Sequence, residues 1–372
     1  MNFMDLANAG VRGLTPYQPG KPVSELEREY GVSNALKLAS NENPLGPSPM
    51  GVERARAALG ELHRYPDGNG FALKAAVAAR HDVDAACITL GNGSNDVLEL
   101  LARAFLAPGL NAVFSEHAFA VYPIATQAVG AEARVAQANG PDHAMPYGHD
   151  LEALAATVNE HTRLVFIANP NNPTGTWLRS EELEAFVRSL PASVIVVVDE
   201  AYFEYVDEAD YPDTSRWLSR YPNLVVTRTF SKIFGLAGLR VGYSLSHPQV
   251  ADLLNRVRQP FNVNSLAQEA ALGALQDTAH VQRSVRINGE GLRQFEQAFA
   301  GLGLSWIPSV ANFICVHLGG RPGTDVYQAL LHHGVITRPV ANYKLPDYLR
   351  ITVGTREENA RVIKALTQVV AG

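Results

Sequence analysis

The sequence predicts an α/β protein: a large domain on a buried, mostly parallel sheet flanked by helices, followed by a small α+β domain. Three observations carry this. Short β-rich apolar runs alternate with amphipathic helical stretches through the middle of the chain. Several of these runs are apolar on consecutive residues, as strands covered on both faces are. The alternation gives way to a different pattern after about residue 265, and the 372 residues exceed the ~100–200 of a single domain.

Taken in order, residues 1–49 are rich in Pro, Gly and Asn (TPYQPGKP, SNENPLGPSP) and read as an irregular arm that packs on a neighbour and on the small domain. Residues 50–264 are the large domain, with strands expected at 86–90, 112–114, 164–167, 194–198, 224–228 and 240–245. Residues 265–372 begin with a long connecting helix. They continue as strand, helix, strand, strand, helix at 313–317, 325–333, 335–338, 349–353 and 357–369.

Composition narrows the function. Apolar residues make up 47% and charged ones 18% of the chain, as in folded soluble proteins, and a formal net charge of −6 argues against a nucleic-acid or anionic-membrane surface. Small molecules are the expected partners. Cys87 and Cys315 lie far apart in apolar segments and read as reduced core residues, with no disulfide and no metal site. The first residues carry no signal-type apolar run, and no stretch approaches the ~18 apolar residues of a membrane helix, so a cytoplasmic location is expected.

Three segments carry chemistry. ITLGNGSNDVLELLARAF sets a glycine-rich turn between a strand and a helix, so the amides of Ser94 and Asn95 can face an anion at the helix N-terminus. It lacks the third glycine of the dinucleotide fingerprint, because Asp96 stands there, and a plain turn is an equal reading. VIVVVDEAYFEY puts Asp199 at the end of an apolar strand, where open α/β sheets gather ligand-binding groups. An acidic pair holding magnesium would need a phosphate-binding lysine loop, and none exists. A carboxylate keeping a pyridine nitrogen protonated, with Tyr202 near the adjacent phenolic oxygen, needs none.

TRTFSKIFGLAGLRVGY follows a strand and holds Ser231, Lys232 and Arg240 in one loop. Apolar stretches on both sides of Lys232 desolvate its ammonium and ease deprotonation, as a Schiff-base nucleophile requires. Ser231 and Arg240 supply a hydroxyl and a guanidinium for a phosphate.

SKIFGLAGLRVGY, DEAY and NPNNPTG in these positions resemble the fold-type I, aspartate-aminotransferase-like superfamily of pyridoxal-phosphate enzymes. SNENPLGPSP, RYPDG, RQPFNVNSLAQ and LRITVGTREEN resemble the histidinol-phosphate aminotransferase family within class II. The resemblance runs the length of the chain. It implies a seven-stranded central sheet, pyridoxal 5'-phosphate as cofactor and a homodimer with shared active sites.

By the same resemblance, Lys232 joins the cofactor and shuttles the proton at the substrate Cα, and Asp199 partners the pyridine nitrogen. Asn172 and Tyr202 reach the phenolic oxygen. Ser94, Asn95, Ser231 and Arg240 form the phosphate cup, joined by Tyr65 of the partner. Phe119 stacks on the cofactor where the family often has tyrosine; a plain core phenylalanine is the bland alternative. Arg338, Arg350, Asn43 and Tyr17 from the partner's arm bind substrate, although Arg338 also reads as an ion-pair residue at a domain seam.

The implied reaction converts L-histidinol phosphate and 2-oxoglutarate to imidazole-acetol phosphate and glutamate, run in reverse toward histidine. An aromatic amino acid or prephenate aminotransferase is the alternative, and a fold-type I decarboxylase such as the threonine-phosphate group a further one.

Overall fold

The computed structural model describes residues 1–371. Seven strands make the central sheet: β1 (Ile88–Gly91), β2 (Asn111–Ser115), β3 (Glu132–Ala136), β4 (Thr162–Ala168), β5 (Ile195–Asp199), β6 (Leu224–Thr229) and β7 (Gly242–Ser246). They lie in the order β1-β7-β6-β5-β4-β2-β3, and every pairing is parallel except the two made by β7.

Alternate residues feed opposite faces. Val165, Ile167, Val196 and Val198 join one apolar core, while Leu164, Phe166, Val197 and Val225 join the other. Each such side chain, fully buried, contributes roughly 1.5–3 kcal/mol. Covering both faces explains why these strands read as unbroken apolar runs. In β2 and β5 the polar side chains stand only at the strand ends, and the C-terminal ends of β5 and β6 carry Asp199 and the Lys232 loop.

Two boundaries differ from the sequence reading at the β1–β7 edge. Ala85–Cys87 form a 3-10 turn before β1, and β7 begins only at Gly242 because Arg240 adopts a left-handed backbone with φ 56°. Strand β3 was not expected. It is an edge strand whose residues are mostly exposed, so EARVA carries no apolar run to betray it.

The second sheet has four antiparallel strands: β8 (Trp306–Ile307), β9 (Phe313–His317), β10 (Arg338–Val340) and β11 (Leu345–Thr352), in the order β10-β11-β9-β8. The helices Gly323–His332 and Arg356–Ala371 cover it, burying Leu330, Val362 and Leu366 with Ile314, Leu349 and Ile351. The expected long connecting helix is two helices, Ser265–Gln276 and Thr278–Gly301. Asp277 breaks it: its carboxylate accepts from the His280 amide at 3.1 Å and from the Ser48 hydroxyl at 2.7 Å, capping the second helix.

The arm is not wholly irregular. It contains an eight-residue helix, Val23–Tyr30, which buries Leu26 and stops at left-handed Gly31, and Leu36–Lys37, which pairs in parallel with Val335–Ile336. Both gain their stability from tertiary contact with the small sheet's layer, which local composition does not report. Among the described residues no helix is long and apolar enough to cross a membrane.

A buried charge cluster pins β6 to the segment after β5. Arg228 lies 2.7 Å from both Glu200 and Asp213, with its guanidinium 3.5 Å from the centre of the Phe203 ring. Removing one member of such a cluster leaves buried charge uncompensated, which costs about 3–5 kcal/mol. Arg228→Ala is expected to lower the thermal midpoint by about 5 °C, read by calorimetry on the full chain. An unchanged midpoint contradicts the structural role.

Candidate active site

The loop after β6 carries Lys232 between buried Phe230 and Ile233, and its carbonyl accepts from the Gly235 amide at 3.0 Å in a tight return. That return points the amine into a cavity of about 490 Å³ between the two sheets. Lys232 is the one lysine among the described residues lining it; its Nζ donates to the Ser40 carbonyl at 3.2 Å and stands 5.7 Å from the Tyr202 ring centre. Burial and the neighbouring Arg350 guanidinium lower its pKa to about 8, against the opposing pull of Glu42 and Asp199.

At one end of the cavity lies an anion cradle. The helix Ser94–Phe105 starts without a side-chain cap, leaving its first amides to an external acceptor. Gly93, at φ 82°, makes room: a Cβ there would sit 2.4 Å from Arg240 Nη2. Arg240 Nη1 donates to Ser231 Oγ at 3.2 Å, so two donors flank the helix terminus. Ser94, Asn95, Ser231 and Arg240 all line the cavity.

Asp199 enters from the end of β5. Its Oδ1 accepts from Thr227 at 2.9 Å and its Oδ2 from Tyr122 at 3.0 Å; burial raises its pKa, and these two donors pull it back. Glu200 faces away, held by Arg228 and by the Thr214 hydroxyl at 2.6 Å, so the two neighbouring carboxylates do not form a pair. Tyr202 accepts from Asn41 Nδ2 at 2.8 Å, and burial pushes its hydroxyl up to about 12. Phe119 also lines the cavity.

Opposite the cradle, the small sheet presents two arginines. The register of β10 with β11 sets Arg338 directly across from Arg350. Like charges so placed cost roughly 0.2–1 kcal/mol unless an anion lies between them. Arg350 is buried; it donates to Asn172 Oδ1 at 2.5 Å and to the Ala39 carbonyl at 2.7 Å, while its Nε has no partner. Arg338 donates to the Gln18 carbonyl at 2.8 Å and stands 5.7 Å from the Tyr17 ring centre. Among the described residues it makes no ion pair, so the seam reading of Arg338 has no partner to support it.

Of the remaining expected residues, Asn43 and Tyr65 stand outside the cavity of this chain and Tyr17 lines it. Asn43 is outside the cavity: its amide is spent on the Ile233 carbonyl at 2.7 Å and on Ser284 at 2.9 Å. Asn41, two residues earlier, lines it instead, held at φ 56° by its contacts with Thr352 and Tyr202. Tyr17 lines the cavity of its own chain, with the neighbouring Gln18 carbonyl tied to Arg338. Tyr65 lies outside the cavity of its own chain, 82% exposed and stacked on Phe261 at 4.7 Å. Asn41, Tyr122 and Thr227 went unnoticed in the sequence. Only Asn41 left a signal, in the SNENPLGPSP segment.

Residues 33–366 match the family model described as aminotransferase class I and II. The chain is 60% identical over 372 residues to histidinol-phosphate aminotransferase 2 of Pseudomonas aeruginosa, covering 100% of this chain and 99% of that one. It is 59% identical over 368 residues to histidinol-phosphate aminotransferase 1 of Nitrosococcus oceani, covering 99% and 98%. Among solved structures, histidinol-phosphate aminotransferase from Sinorhizobium meliloti in complex with pyridoxal-5'-phosphate superposes with a TM-score of 0.88 at 28% identity, covering 98% of this chain and 97% of that one. The seven-stranded, mostly parallel sheet flanked by helices is thus the aspartate-aminotransferase-like fold that the sequence suggested. The chain belongs to the class I and II aminotransferase family, among its histidinol-phosphate aminotransferases.

Proposed function

We propose that the protein is a pyridoxal-phosphate-dependent transaminase that exchanges an amino group between L-histidinol phosphate and 2-oxoglutarate. The observation that carries this is the convergence on one cavity of a lone lysine of lowered pKa, an anion cradle, a buried carboxylate and a second cationic pair. One anion site serves a cofactor; the second serves a substrate. The full-length relatives named histidinol-phosphate aminotransferase support the choice of substrate.

The residues fit the cofactor. The uncapped helix terminus with Ser231 and Arg240 suits its phosphate, and Asp199, buried without an ion-pair partner, gains from a protonated ring nitrogen. Tyr202 and Asn172 suit its phenolic oxygen and Phe119 its ring face. When bound, the cofactor supplies an aldehyde that joins amines and a protonated ring that withdraws electrons from the attached carbon.

The chain's own residues do the rest. Lys232, neutral in part near pH 8, serves first as nucleophile and then, once free, takes the proton from the substrate Cα. Asp199 keeps the ring nitrogen protonated while charge develops. Arg338 and Arg350 hold the phosphate of histidinol phosphate, and a carboxylate of glutamate uses the same charges. Tyr17 closes the cavity beside Arg338.

We take residues 1–49 as arm and part of the small domain, 50–264 as the large domain, and 265–372 as connecting helices and the remainder of the small domain. The two sheets on either side of the cavity support this division. We also propose a homodimer with shared sites. The outward Tyr65–Phe261 stack, with exposed Leu59, Leu62 and Phe71 from the same region of sequence, supports a partner whose cradle Tyr65 completes. Free Cys87 and Cys315 accord with a cytoplasmic location.

Three outcomes are expected. With 2-oxoglutarate as acceptor, kcat/KM for histidinol phosphate exceeds that for phenylalanine by at least about tenfold, since phenylalanine lacks the phosphate that two arginines recognise; the reverse preference selects the aromatic aminotransferase reading. Arg338→Gln raises KM for histidinol phosphate by about 10–100-fold while changing that for phenylalanine far less, measured by steady-state kinetics, and an equal change for both contradicts a phosphate role. In the cofactor-free protein, labelling of Lys232 by an amine-directed reagent follows the neutral amine. It is slow below the folded pKa, reaches half its maximum near pH 8 and levels above it; Arg350→Gln moves that midpoint upward. Peptide mass spectrometry reads the labelling, and an unshifted midpoint in that variant contradicts the electrostatic origin.

A further inference from the structure

We propose that Tyr122 and Thr227 are positioning residues for Asp199, each gripping a different carboxylate oxygen so that the group presents a fixed plane to the cavity. The inference rests on the reading above in which Asp199 serves the ring nitrogen of the cofactor. Neither residue lines the cavity, so both act through Asp199.

The geometry comes from three elements. Asp199 ends β5, and Thr227 on β6 is its register partner across the parallel pair, so the threonine hydroxyl reaches Oδ1 at 2.9 Å. Tyr122 projects from the helix Val121–Ala128 on the other side and reaches Oδ2 at 3.0 Å. Its ring is fully buried, lies flat on Phe166 with centroids 4.8 Å apart and planes 6° apart, and meets Phe119 edge-on at 5.9 Å. The phenol cannot leave the carboxylate without breaking that stack. One tyrosine therefore braces both Asp199 and Phe119, the two groups expected against the nitrogen and the face of the cofactor ring.

The chemistry needs such a brace. A buried carboxylate without donors drifts toward its neutral acid, which cannot keep a ring nitrogen protonated. A carboxylate offers about four lone-pair directions, so two donors leave room for a ring N–H. Burial and the adjacent Asp199 charge hold the Tyr122 hydroxyl well above its ordinary range, so it remains a donor.

Tyr122→Phe keeps the ring stack and removes the hydroxyl; Thr227→Val removes the other hydroxyl at nearly constant shape, and Thr227→Ser restores it. On the holoenzyme, both hydroxyl-deleting variants are expected to lower kcat about tenfold and to raise the dissociation constant for pyridoxal phosphate about tenfold, with KM for the amino substrate within about twofold. Thr227→Ser behaves as wild type. Unchanged kcat and cofactor affinity in Tyr122→Phe and Thr227→Val, beside a wild type that binds pyridoxal phosphate saturably, overturn the positioning role alone. A Thr227→Ser variant as impaired as Thr227→Val also overturns it. A wild type that shows no saturable binding overturns the functional reading and this inference with it.

Discussion

The site depends on an amine held where solvent is scarce and positive charge already stands. Placing a lysine beside the buried Arg350 guanidinium costs free energy, and the loop after β6 accepts that cost because Phe230 and Ile233 lock it into the core on either side. The result is an amine that gives up its proton near pH 8, well below the range of a surface lysine. Without the second sheet there would be no Arg350 and no closed cavity, so the two halves of the molecule make one chemical unit.

Charge placement follows the same logic at both ends of the cavity. The helix terminus at Ser94 with Arg240, and the Arg338–Arg350 pair across β10 and β11, are each unfavourable to assemble alone. Both become favourable when an anion is supplied. Asp199 between them is the complementary case, a carboxylate raised by burial that a cation would settle. A molecule that carries a phosphate and a basic ring at one end of the cavity, and a second anion at the other, satisfies all three at once.

Much of this was legible in the residues. Strands β2, β4, β5 and β6 announce themselves because they are buried on both faces, and Lys232, Asp199, Ser231 and Arg240 stand in segments whose local pattern of strand, turn and glycine fixes their direction. What escaped lies in tertiary register. That Asn41 and not Asn43 turns inward depends on Thr352, more than three hundred residues away. That the Tyr17 ring stands beside Arg338 depends on a Gln18 carbonyl meeting that arginine. Tyr122 looks like any core aromatic until Asp199 is seen at its hydroxyl. Edge strand β3 and the Val23–Tyr30 helix bury too little to leave a pattern.

Covalent attachment of pyridoxal phosphate at one amine is read by borohydride reduction of the holoprotein followed by peptide mapping. A phosphopyridoxyl group is expected on the peptide containing Lys232 and on no other lysine in stoichiometric amount. Reduction that leaves that peptide unmodified, or that marks a different lysine, contradicts attachment at Lys232.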